Sequence, residues 1–189
     1  NQSLCINIAI TDITYSISGS PISTTVTGLP TGVTYSYASG TLTISGSPSV
    51  SGLFSYTITS SDGTCPDVVL TNQGTINVQP LPTITLGATT VYCPSSASFN
   101  LPYTITTGSP TTYSIIAGSP ALTGFTPIVN APITSTPLNI ALPAVVPSGT
   151  YQFIITVKNA NGCLSTNKAF TVTFQDTTNP TISCPANLI

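Results

Sequence analysis

The stretch SGTYQFIITVKNANGC, residues 148–163, decides how this chain folds. Tyr151, Phe153, Ile155 and Val157 fall on alternate positions, with Gln152, Thr156 and Lys158 among the residues between them. A period of two with an apolar face marks a half-buried antiparallel strand. Asn161-Gly162 then supplies a pair that readily takes the positive φ of a tight hairpin. Phe170, Val172 and Phe174 resume the alternation on the return strand. The design recurs upstream at 51–65, SGLFSYTITSSDGTC, where Phe54, Tyr56 and Ile58 form the stripe and Asp62-Gly63 the turn.

Outward from these hairpins the chain is strand-like almost everywhere. Val33, Tyr35 and Tyr37 alternate with Thr34 and Ser36, and Leu42 and Ile44 alternate with threonines. Seventeen prolines and fourteen glycines break up the runs, and no segment has a helical pattern. Pro80 and Pro82 mark one linker and QDTTNP, residues 175–180, a second. Cys5, Cys93 and Cys184 recur roughly 90 residues apart, about one small sandwich domain. The expected fold is all-β: tandem immunoglobulin-like antiparallel β-sandwich domains at 1–80 and 81–176. Residues 177–189 form a linker and the first strand of a third repeat.

The cysteines fall into two kinds. Cys5, Cys93 and Cys184 open strand-like runs, whereas Cys65 and Cys163 follow the hairpin turns. If the first strand of each sandwich begins at the end that carries its last hairpin, Cys5 pairs with Cys65 and Cys93 with Cys163. A Cys65–Cys93 bond would have to span a final strand of about ten residues, roughly 30 Å. A disulfide tolerates only about 4.4–6.8 Å between Cα atoms. Cys184 is then unpaired in this stretch of sequence. Such bonds require an oxidising compartment, so the expected location is extracellular or periplasmic.

Composition excludes more than it includes. Charged residues are 3% of the chain, against about 25% in an ordinary soluble domain. The acids are Asp12, Asp62, Asp67 and Asp176, the bases Lys158 and Lys168, and there is no His, Trp or Met. Nothing here neutralises a row of phosphates, so nucleic acid is not an expected partner. Mean hydropathy is +0.38, yet Ser, Thr, Gly and Pro break every apolar run well short of the roughly 20 residues of a spanning helix, so no membrane insertion is expected. General acid–base chemistry would rest on four scattered aspartates, of which Asp62 belongs to a turn and Asp176 to a linker. The chain is not expected to be an enzyme or to hold a cofactor or a metal. Lys158 lies opposite the Tyr151 stripe, which disfavours an isopeptide bond, and Tyr151, just after Ser148-Gly149, fits a tyrosine corner.

GLPTGVTYSYASGTLTISGSPSVSGLFSYTITSSDG, residues 28–63, resembles the Ig-like and PKD-like repeats of very large secreted surface adhesins, especially those of Bacteroidota. SGTYQFIITVKNANGC is similar to the penultimate-strand signature of the same arrays, and DTTNPTISCPANLI, residues 176–189, resembles the opening of a hyalin-type repeat. The resemblance implies a cell-surface filament of the gliding-motility kind, exported by the type IX system. Thr177, in Asp176-Thr177-Thr178, resembles the acceptor of the Asp-Ser/Thr O-glycosylation motif of that phylum. The expected function is a structural repeat of a surface adhesin, a disulfide-stapled stalk that mediates adhesion, with neighbouring repeats or copies of itself as partners. Two alternatives stand beside it. One is a self-polymerising fibre subunit that donates the strand at 181–189; the other is a polysaccharide-binding module.

Overall fold

The computed structural model describes residues 1–63 and 67–176. The regular elements among them are all strands. The first repeat contains β1 (Gln2–Cys5), β2 (Ile13–Ser16), β3 (Ser23–Thr27), β4 (Val33–Ala38), β5 (Thr41–Gly46), β6 (Gly52–Ser61) and β7 (Val68–Gln79). One sheet runs β1-β7-β6-β3 and the other β2-β5-β4. With the strands lettered in chain order as A′, B, C, D, E, F and G, these are the A′GFC and BED sheets of an immunoglobulin sandwich. Only β1 departs from antiparallel pairing. It runs parallel to β7, with Gln2 opposite Ile76 and Cys5 opposite Gln79.

The second repeat contains β8 (Thr83–Leu86), β9 (Ser98–Leu101), β10 (Tyr103–Thr107), β11 (Pro110–Ala117), β12 (Ile128–Pro132), β13 (Leu138–Ala141), β14 (Gly149–Asn159) and β15 (Lys168–Phe174). Its larger sheet runs β12-β11-β14-β15, extended by a parallel bridge from Tyr92 to Phe174. β8 pairs with β10 and β13 with β9. β9 and β10 are two halves of one strand broken at Pro102, which has no N–H to give to a ladder. Here the strand before β13 pairs with β11 instead, a C′ position where the first repeat has a D strand. Tyr92 also serves the unpaired edge of β9. Its hydroxyl donates to the Asn100 carbonyl at 2.9 Å and accepts from the Asn100 N–H at 3.0 Å.

Alternation along the strands builds one core per repeat. Leu42, Ile44, Tyr56, Ile58, Ile76 and Val78 are buried in the first; Phe99, Ile115, Phe153, Ile155, Val172 and Phe174 are buried in the second. The β4 stripe is the exception. Val33 is buried, but Tyr35 is 38% exposed because β4 is the outer strand of its sheet. In the first core the Tyr15 and Tyr56 hydroxyls hydrogen-bond at 2.7 Å, and burial with that bond pushes the Tyr56 phenol well above its usual range. Room for Tyr56 comes from Gly74 on β7, where a Cβ would lie 2.9 Å from the ring carbon that carries the hydroxyl.

By backbone packing the chain forms two compact units. Of the described residues, the first takes in those within Asn1–Thr83, Thr106–Thr111 and Lys158–Ser165; the second takes in those within Ile84–Ile105 and Thr112–Val157 and those from Thr166 to Asp176. The hairpin between β14 and β15 therefore belongs to the first unit, although its strands are those of the second repeat.

Candidate functional site

The chemistry of this chain is concentrated in its cysteines. Cys5 closes β1, beside Gln79 at the end of β7, and the Ile6 N–H continues the ladder to the Gln79 carbonyl at 2.9 Å. Its partner is Cys163, with Cα atoms 5.5 Å apart and a sequence separation of 158. Both cysteines lie in the first compact unit. The hairpin that presents Cys163 is organised by Asn159. The buried Asn159 side-chain oxygen accepts from the N–H groups of Asn161 at 3.1 Å and Cys163 at 2.9 Å. Its backbone exchanges hydrogen bonds with Cys163 and Gly162. Gly162 takes a φ of 86°, so the Asn161-Gly162 turn forms where the sequence places it. Asn159 itself is not evident from the sequence as a functional residue, and the Asx-turn spacing to Asn161 is the signal that reveals it.

This bond corrects the pairing expected from sequence. Cys5 is joined to Cys163 and not to Cys65, and Cys163 is therefore not joined to Cys93. The reason is the placement of β1. The expectation put the first strand's start beside the last hairpin, but β1 runs parallel to the far end of β7. From Val68 to Gln79 that strand covers roughly 35 Å, many times the reach of a disulfide. Cys93 is a free thiol, partly buried, on the segment that reaches the end of β15 through Tyr92. Cys65, Cys184 and Thr177, together with the donor strand expected at 181–189, lie outside the described residues.

The remaining candidates divide into structural and exposed groups. Tyr151 is a tyrosine corner. Its hydroxyl donates to the Pro147 carbonyl at 3.1 Å, four residues upstream at the start of β14. Asp12, Asp62, Asp67, Asp176 and Lys168 are exposed, and among the described residues no three potential metal ligands gather. Lys158 is half-buried, between Val157 and Asn159, which are both buried. A cleft of about 240 Å³ opens at the loop end of the first sandwich, with Ile17, Ile58 and Val68 as its apolar wall and Ser16, Ser18 and Ser60 as its hydroxyl rim.

No protein-family model matches this chain, and no curated protein matches it. Solved structures similar to it include fibronectin(III)-like modules of Clostridium thermocellum CbhA, 10% identical, with a TM-score of 0.39 over 92% of this chain and 89% of that one. The IG1+IG2 pair of DIP-gamma is 14% identical, with a TM-score of 0.40 over 91% of both chains. A chimeric titin Z1Z2 is 13% identical, with a TM-score of 0.31 over 92% of this chain and 90% of that one. The strand order itself carries the immunoglobulin-like assignment. Disulfides persist in oxidising compartments, and a disulfide on this fold is typical of extracellular domains.

Proposed function

We propose that this chain is a stretch of stalk in an extracellular, cell-surface adhesin or filament, without catalytic activity. The observation that carries the reading is the Cys5–Cys163 bond, which closes 158 residues of sequence. Load applied beyond the two cysteines passes through a covalent bond, which shields all of β2–β14 and leaves only β15 and the start of β1 outside the closed loop. Their surfaces carry only six charged side chains, so contacts with other surfaces, with polysaccharide or with copies of the chain rest on close packing and hydroxyl hydrogen bonds. The finer assignment, a gliding-motility adhesin exported by the type IX system, rests on the sequence resemblance alone.

The test is adhesion under flow. Beads coated with the chain should stay attached to polysaccharide-coated and bare surfaces, and Cys5→Ser should weaken retention under shear while leaving attachment at rest intact. A polysaccharide-binding module is the second reading, favoured by the serine-rimmed cleft at the loop end of the first sandwich. Saturable binding of one defined oligosaccharide, abolished by filling that cleft with Ser60→Trp, would establish it in place of the stalk.

A further inference from the structure

β4 ends the BED sheet of the first sandwich, and its register against β5 runs without a shift from Val33 opposite Gly46 to Ala38 opposite Thr41. Ser39 and Gly40 close that hairpin with φ of 48° and 78°, the paired positive angles of a type I′ turn, so Ala38 and Thr41 exchange both hydrogen bonds. At the other end of the pair the Ser47 N–H donates to the Gly32 carbonyl at 3.1 Å. Both ends set the same parity. The backbone groups of Thr34, Ser36 and Ala38 face β5, and those of Val33, Tyr35 and Tyr37 face away from it. The Val33 N–H is used by the Pro30 carbonyl at 3.0 Å, whereas among the described residues no hydrogen bond reaches the Tyr35 or Tyr37 N–H. Other edges carry devices against pairing: β12 has Pro132 and a register shift beside it, and Tyr92 bridges the outer side of β15. β4 has neither proline nor bulge, and β3, β4 and β5 carry no charged side chain. Beside this edge an open groove of about 460 Å³ is lined by Val26, Gly28, Leu29, Val33, Thr34 and Tyr35.

We propose that β4 is a homodimer interface, at which a second copy of this chain adds its own β4 antiparallel to give a continuous sheet β2-β5-β4-β4-β5-β2. The parity decides how the copies meet, because outward-facing residues pair only with outward-facing residues. The registers that serve both tyrosine N–H groups place the two-fold axis at Tyr35 or at Ser36. With the axis at Tyr35, the two Tyr35 residues exchange N–H to carbonyl bonds, each Tyr37 N–H reaches the second copy's Val33 carbonyl, and the Val33 N–H keeps its Pro30 partner. With the axis at Ser36, Tyr35 and Tyr37 exchange bonds with each other across it. Either way tyrosine faces tyrosine or valine on the core side, and only hydroxyl and methyl groups meet on the outer side, pairs that favour association across antiparallel strands. A strand with no charge meets its own copy without like-charge repulsion, which is why a second copy fits this edge. The contact is isologous, so it closes at two copies and joins chains side by side.

The proposal goes beyond the stalk reading, which Cys5→Ser tests without touching β4. The chain, with Cys5–Cys163 intact and its free thiols alkylated so that no disulfide joins copies, is followed by sedimentation velocity from micromolar to millimolar concentration. The result expected is a reversible dimer, with amide hydrogen exchange at Tyr35 and Tyr37 slowing as it forms. Thr34→Lys combined with Ser36→Lys sets like charges across the axis in both registers, and should weaken self-association roughly tenfold with thermal unfolding unchanged. Thr34→Glu combined with Ser36→Glu should do the same, and mixing the two variants should restore the dimer as a heterodimer. A chain that stays monomeric throughout, a dimer that leaves the Tyr35 and Tyr37 amides exchanging as in the monomer, or a mixture that associates no better than either variant alone would overturn the proposal.

Discussion

Asn159 is the residue on which the hairpin carrying Cys163 most depends. Its oxygen serves two backbone N–H groups, so Asn159→Ala leaves the buried Cys163 N–H with no acceptor. The expected loss is about 1–3 kcal/mol in urea unfolding, together with faster reduction of Cys5–Cys163 as the hairpin loosens. Asn161-Gly162 was legible as a turn because the pair itself carries the conformational preference. Tyr151 was legible as a corner because it stands at the start of its strand, just after Ser148-Gly149. The partner of Cys5 was not legible. Four residues of β1, partly buried and without a clear stripe, give no sign that they run parallel to the last strand, and pairing follows from that direction.

At the scale of the elements, the long central strands announced themselves and the edges did not. β6 and β14 are buried on alternate positions along most of their length, so their period shows directly. The fourth strand of each repeat sits at a sheet edge, beside β5 in one repeat and beside β11 in the other, and no local pattern distinguishes the two placements. β7 carries a further constraint at Gly74. The register between β6 and β7 shifts beside Tyr56, and the Tyr56 ring lies against the Gly74 backbone. Gly74→Ala should cost about 1–3 kcal/mol through overpacking. Adding Tyr56→Phe, which removes the oxygen nearest the new methyl group, should recover part of that loss in thermal unfolding. Simple additivity of the two changes would contradict the contact.

For the whole molecule, six charges in 189 residues leave little for salt to screen. Bead adhesion should therefore change less than about twofold from low to high salt, whereas a steep fall would reveal a charged site. Closing 158 residues should also stabilise the fold by about 5 kcal/mol in the chain-entropy model, so Cys5→Ser should melt well below the parent chain. The load path is tested most directly by stretching single molecules from residue 1 to residue 189. With Cys5–Cys163 intact, the residues between them should release no length before rupture. After reduction the same pull should release roughly 500 Å as the repeats unfold. An oxidised chain that yields a step of roughly 95 Å, the length of residues 65–93, would mean that each repeat is closed within itself and would contradict the account.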